Sequence, residues 1–186
     1  MNPIKNKKNF EATIDDIRNF AYSYLEKYNP SKQQLRIYLF KKLIKKGQKM
    51  SSKKEIFNLI DSVISSLVDQ KLLSDKYYSD VKSKAFLRRG YSLNKIRYNL
   101  IKKGIDKKYI KASISKIIEN ESNPDFFSAI KVCKRRRIGP CREESNRPLF
   151  YKKDISILAR SGFSYEISKK VLEIPKEEFK KFCKMI

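Results

Sequence analysis

The run Leu87-Arg88-Arg89-Gly90-Tyr91-Ser92-Leu93-Asn94-Lys95-Ile96-Arg97-Tyr98-Asn99-Leu100-Ile101-Lys102-Lys103-Gly104-Ile105 decides the fold. It reads as the end of one helix, a glycine stop, a short basic helix opened by Ser92, and a second stop. Glycine closes helices because it enters the left-handed conformation without strain. The pairs Arg88-Arg89 and Lys102-Lys103 precede the two glycines and suit the negative end of a helix dipole. Leu93, Ile96 and Leu100 fall on one face. The stretch has echoes. Leu39 to Gly47 aligns with Ile96 to Gly104, and Ile155 to Gly162 is a looser copy. One supersecondary unit repeated in this way stacks against its own neighbours in a line.

Working outward, helix starts recur. Thr13 with Asp16, Ser31 with Gln34, and Ser52 with Glu55 have capping-box spacing. Ile14, Ile17, Ala21, Tyr24, Leu25 and Tyr28 then follow at helical spacing, as do Leu35, Leu39 and Leu43 before Gly47. Ile56, Leu59, Ile60, Val63, Ile64 and Leu67 form a third stripe. The next helices carry Tyr78, Val81, Ala85 and Phe86, then Leu93, Ile96 and Leu100, then Ile110, Ile114, Ile117 and Ile118 behind Asp106. Asn123-Pro124 opens a helix with Phe126, Ala129, Ile130 and Cys133 inside. After a connection from Ile138 to Asn146 come a helix through Ile155 and Leu158 and another from Ser164 to Pro175. No stretch alternates with period two. The expected fold is all-α: nine helices in an elongated, curved array of three tandem three-helix repeats, at 11–73, 74–120 and 121–175. A flexible N-terminus (1–10) precedes them, and a tail (176–186) of a loose helical turn or two follows.

The 186 residues include 44 Lys and Arg against 20 Asp and Glu, a net charge of +24. Such an excess attracts polyanions. An AT-rich coding bias would inflate lysine but accounts less well for clustered arginines. No histidine is present, which removes the usual general base and the commonest zinc ligand. No phosphate-loop or dinucleotide fingerprint occurs. Cys133, Cys141 and Cys183 fit neither a zinc nor a disulfide spacing, and Cys133 lies on an apolar stripe. Acidic pairs such as Asp15-Asp16 and Glu143-Glu144 read as solvated. The expectation is a non-enzymatic, cytoplasmic monomer that needs no cofactor or metal. No run is long and apolar enough to cross a membrane.

Two basic groups stand out. Around the quoted helix lie Arg88, Arg89, Lys95, Arg97, Asn99 and Lys102, with Lys95, Asn99 and Lys102 on one face. The second is Lys134-Arg135-Arg136-Arg137, continued by Arg142 and Arg147. Arginine's planar fork pairs with phosphate or carboxylate at two points. The doubled cations before each glycine also have a helix-closing role, which competes with binding. Tyr91 and Tyr98 suit either base stacking or helix packing.

The run Leu73-Ser74-Asp75, then Phe86 to Tyr91, then Ile96, Leu100 and Lys103-Gly104-Ile105, resembles the RecX family of recombination regulators. Ala159 to Ile167 is similar to that family's C-terminal helix junction, and Lys134 to Gly139 to the basic end of its seventh helix. Ser92-Leu93 stands where the family usually has Gly-Pro. The resemblance covers about residues 11–173. It implies a protein that binds the RecA filament on single-stranded DNA and restrains its ATP hydrolysis, strand exchange and extension. The charge alone also suits direct binding of DNA or RNA without RecA.

Overall fold

The computed structural model describes residues 13–46 and 52–186; the expected stop at Gly47 and the N-terminal segment 1–10 lie outside them. Every regular element among the described residues is helical. The α-helices are α1 (Ile14–Leu25), α2 (Lys32–Lys46), α3 (Lys53–Asp69), α4 (Asp75–Arg88), α5 (Leu93–Lys102), α6 (Lys107–Asn120), α7 (Pro124–Arg136), α8 (Arg147–Arg160), α9 (Tyr165–Leu172) and α10 (Lys176–Lys184). Two 3-10 turns, Gly139–Cys141 and Glu144–Asn146, sit between α7 and α8.

The caps follow local chemistry. Thr13 and Asp16 form a reciprocal capping box, and Ser31 and Gln34 exchange the same two bonds. Ser52 differs: its hydroxyl accepts from the Lys54 N–H, two residues on, where the sequence suggests a box with Glu55. Ser92, Asp106 and Ser164 cap α5, α6 and α9 as expected. Gly90, Gly104 and Gly162 all have positive φ.

Among the described residues the expected nine helices become ten, because Lys176–Lys184 folds as α10. Pro175 reads as a terminator, yet it precedes a helix whose Phe179 and Phe182 lie three residues apart and pack inward. Phe179 is buried, and the Phe182 ring meets those of Phe126 and Phe127 edge-on. Several expected core positions face solvent: Ile14, Tyr28, Leu59, Val81 and Ile118 are 38–58% exposed. On α4 the reason is visible. Its inward face carries Tyr78 with the small Ser79 and Ser83, all buried, which turns Val81 outward. The Ser113 hydroxyl on α6 lies 2.8 Å from Ser79 Oγ and 2.6 Å from Asp80 Oδ1, so α4 and α6 meet through polar contacts.

The chain divides into two compact units. One runs to Tyr78 and takes in Lys103–Ile105; the other comprises Ser79–Lys102 and Asp106–Ile186. In the first, Ile17, Leu35, Leu39, Leu43, Ile60, Val63 and Leu67 of α1, α2 and α3 form the core. In the second, Ala129, Ile130, Val132, Cys133, Leu158, Val171 and Leu172 gather from α7, α8 and α9, closed over by Phe179. The repeated middle helices place matching residues inside: Leu39 and Leu43, Ile96 and Leu100, and Leu158.

The same joint is built twice. In the first unit the Ser31 hydroxyl donates to the Lys103 carbonyl at 2.6 Å, and the Lys32 N–H donates to Asp75 Oδ1 at 2.9 Å. In the second, the Ser92 hydroxyl donates to the Ser161 carbonyl at 3.0 Å, and the Leu93 N–H to Asp125 Oδ1 at 2.7 Å. Each middle helix is thus tied at its N-terminus to a helix-ending carbonyl and to a buried or half-buried aspartate. Glycine makes the close approach possible. A Cβ on Gly104 would lie 2.5 Å from Gln33 Cβ, and one on Gly162 would lie 2.5 Å from Ser92 Oγ. The glycines therefore have two duties, stopping a helix and admitting the cap of another.

Candidate polyanion-binding site

The end of α4 closes with a two-bond turn in which the Gly90 N–H donates to Leu87 O and the Tyr91 N–H to Phe86 O. The Phe86 and Tyr91 rings stack across it at 5.2 Å, the apolar contact that accompanies such a stop. That gives Tyr91 its packing role. Arg88 and Arg89 are left exposed on the outer side.

Helix α7 lies directly against this turn. A Cβ on Gly90 would approach Lys131 Cβ at 3.0 Å and Ser128 O at 3.2 Å. Arg135 Nη1 donates to the Arg89 carbonyl at 2.8 Å and fastens the two helix ends together. Arg88, Lys131, Lys134 and Arg135 consequently line one open cavity of about 490 Å³, beside Ile186. No acidic side chain is among its lining residues. Like charges crowded with no acidic side chain among them create a local positive potential. Arg88 also borders a neighbouring cavity of about 340 Å³ with Lys84 and Lys116. There Asp80 and Glu121 weaken the field, and Lys116 is paired with Asp80 at 2.6 Å.

The other expected residues are distributed differently. On α5, Lys95 is half-buried with its ammonium 4.8 Å from the Tyr91 ring centre. Arg97 Nη1 donates to Asn94 Oδ1 at 2.9 Å, and Asn99 Nδ2 to the Lys95 carbonyl at 2.7 Å. Lys102 sits over the exposed Tyr98 ring at 4.5 Å. Beneath them, burial pushes the Asp125 carboxyl above its ordinary pKa, while the Leu93 N–H and the Arg97 charge pull it down. Arg136 and Arg137 are exposed; Arg137 takes the left-handed conformation that ends α7, a position where glycine is usual.

Arg142 and Arg147 join neither group. Arg142 forms a two-point pair with Asp154, at 2.7 and 2.8 Å, and Asp154 is 1% exposed. The same carboxylate accepts the Gly139 N–H at 2.9 Å. The connection 138–146 is therefore anchored in the core, with Ile138, Gly139 and Pro140 buried. Arg147 donates to the carbonyls of Leu172 and Ile174 at 2.6 and 2.9 Å, closing the end of α9. Sequence reading missed Lys131. Its spacing of three and four from Lys134 and Arg135 puts all three on one helical face, a signal hidden by reading the basic run as contiguous.

No carboxylate or histidine cluster suited to a metal occurs among the described residues, and no described helix is long and apolar enough to cross a membrane. The fold and site describe a class: an all-helical protein of successive three-helix sets with a cationic cleft. No family model matches the sequence. The chain is 28% identical over 163 residues to the regulatory protein RecX of Myxococcus xanthus, covering 84% of each. It is 26% identical over 161 residues to the regulatory protein RecX of Agrobacterium fabrum, covering 87% of this chain and 84% of the relative. Its fold matches the crystal structure of RecX from Lactobacillus salivarius with a TM-score of 0.61 at 19% identity, over 90% of this chain and 97% of the other. A second RecX crystal structure matches with a TM-score of 0.60 at 19% identity, over 87% of this chain and 74% of the other. The chain is thus similar in sequence to two proteins named RecX and in fold to two RecX structures.

Proposed function

We propose that this protein is a non-enzymatic regulator that binds the RecA filament on single-stranded DNA and restrains its ATPase, strand exchange and extension. In this reading it acts as a cytoplasmic monomer in the control of DNA repair and recombination, with 11–73, 74–120 and 121–175 as its three repeats. The observation that carries the reading is the cleft between α4 and α7, where four cations from two helices surround one cavity whose lining has no acidic side chain. Arg88, Arg89, Lys131, Lys134 and Arg135 are its binding residues, with Arg136 and Arg137 at the rim. A polyanion held there exchanges its counterions for these side chains. The relatives that are similar in sequence are named regulatory proteins, which supports regulation as the role.

The test is RecA ATPase on single-stranded DNA with increasing protein. The native chain lowers the rate at ratios well below one per RecA. The double variant Arg88→Glu, Arg89→Glu requires about tenfold more protein for the same inhibition, with unchanged helical circular dichroism. Unchanged inhibition by this variant removes the cleft from the mechanism. Binding to single-stranded DNA alone that equals binding to the filament at every salt concentration overturns the RecA reading in favour of a direct DNA or RNA binder.

A further inference from the structure

Cys183 is distant in the sequence from Cys133 and Cys141 and comes close to them in the fold. Cys133 lies on α7, Cys141 in the first 3-10 turn and Cys183 on α10. Cys133 is fully buried, and the Cys141 thiol donates to the Cys133 carbonyl at 3.6 Å. Cys141 and Cys183 are both half-buried and line the same cavity of about 420 Å³. Its floor is Pro140 and Phe179, and its rim carries Lys134, Lys176, Lys180 and Lys184. Lys134 donates to the Cys183 carbonyl at 3.2 Å, which holds that helix turn beside the cavity. The rim is not uniformly cationic: Lys180 is paired with Glu177 at 2.6 Å, and Lys176 lies 3.9 Å from Glu143.

We infer that Cys141 and Cys183 form a dithiol modification site that takes an anionic disulfide of the glutathione class and closes to an intrachain disulfide. Two thiols in one cavity supply an attacking and a resolving sulfur, and the lysine rim favours a negatively charged reagent. In the first step one thiol, as its thiolate, attacks a sulfur of glutathione disulfide. A protein–glutathione mixed disulfide forms and one glutathione thiolate leaves. In the second step the other cysteine attacks the protein sulfur of that mixed disulfide. The Cys141–Cys183 bond forms and a second glutathione leaves. The two thiol protons go to the departing thiolates, and the protein loses two hydrogens while glutathione disulfide is reduced. Burial raises both thiols above their ordinary pKa, partly offset by the nearby lysines, so the first step speeds up as pH rises. Cys133, more deeply buried and pushed up further by desolvation, stays out of the exchange. The bond would tie α10 to the turn behind α7, next to the basic cleft that Lys134 also lines.

The experiment treats the full chain with glutathione disulfide, blocks the remaining thiols, and maps digested peptides by mass spectrometry. The expected product is a Cys141–Cys183 linked peptide with Cys133 blocked only after unfolding. Cys141→Ser and Cys183→Ser each stop at the single glutathione adduct. At low salt, glutathione disulfide reacts about tenfold faster than the cationic disulfide cystamine, and added salt removes the difference. A lasting glutathione adduct on the native chain, a link that includes Cys133, or faster reaction with cystamine overturns the assignment.

Discussion

The two basic regions of the second unit look alike in sequence and behave differently in the structure. On α5 the polar side chains engage their own helix or a ring beside it: Arg97 reaches Asn94, Asn99 reaches the Lys95 carbonyl, and Lys102 covers Tyr98. Between α4 and α7 the cations come from two helices and face one cavity. Within one helix, neighbours three and four residues apart find each other before they find a ligand. A ligand site needs side chains from separate elements held by something other than the ligand, and here that holder is the Arg135–Arg89 bond. Charge density along the chain marks both regions; convergence in space distinguishes them.

The largest expected effect comes from removing the seat of the second region. Asp154→Ala leaves the half-buried Arg142 and the Gly139 N–H without their shared acceptor. Breaking a buried pair in this way costs about 3–5 kcal/mol, read as a fall in the urea midpoint. If the two regions are held separately, hydrogen exchange rises first in α7 and the 138–146 connection and later in α5. Simultaneous loss of protection would show that one cooperative unit supports both.

Arg147→Ala comes next, because its guanidinium holds two carbonyls at the end of α9. Stability falls by about 2 kcal/mol, in the range for hydrogen bonds to a charged group. Single-stranded DNA affinity of the folded protein changes less than twofold. A larger loss of affinity with unchanged stability would return Arg147 to the binding surface.

The smallest effect is expected on α5. Lys102→Glu changes stability by about 0.5 kcal/mol or less, as surface substitutions usually do. It leaves the slope of DNA affinity against salt nearly unchanged. The slope of the Arg88→Glu, Arg89→Glu variant falls by about 0.7 for each lost phosphate contact. An equal fall for Lys102→Glu would erase the distinction between the regions.

Much of this was readable from residue order. Capping residues are local chemistry, so Thr13, Ser31, Ser92, Asp106 and Ser164 mark helix starts correctly. Gly90, Gly104 and Gly162 mark helix ends because few residues take positive φ cheaply. The three-helix periodicity follows from both. Helix faces were less secure: Val81 and Ile118 sit at apolar spacing yet face outward, and on α4 the small buried serines turn Val81 out. Helix α10 was hidden because its two inward phenylalanines lie in a lysine-rich tail, and the ring partners of Phe182, Phe126 and Phe127, are more than fifty residues away.

The residue order alone thus determined an all-helical chain of repeated helix sets with a strong positive charge, since caps, stops and apolar spacing act over a few residues. It did not separate the cations that only hold the fold from those that converge on one cavity. Arg142 and Arg147 belong to the first kind because Asp154 and the α9 carbonyls come to them through space. Lys131 joins Arg88 only because α7 packs on the Gly90 turn. The joints that fasten Ser31 to Lys103 and Ser92 to Ser161, 72 and 69 residues apart, are likewise written in no local pattern. A hydrogen bond or a cavity depends on distances that only packing sets.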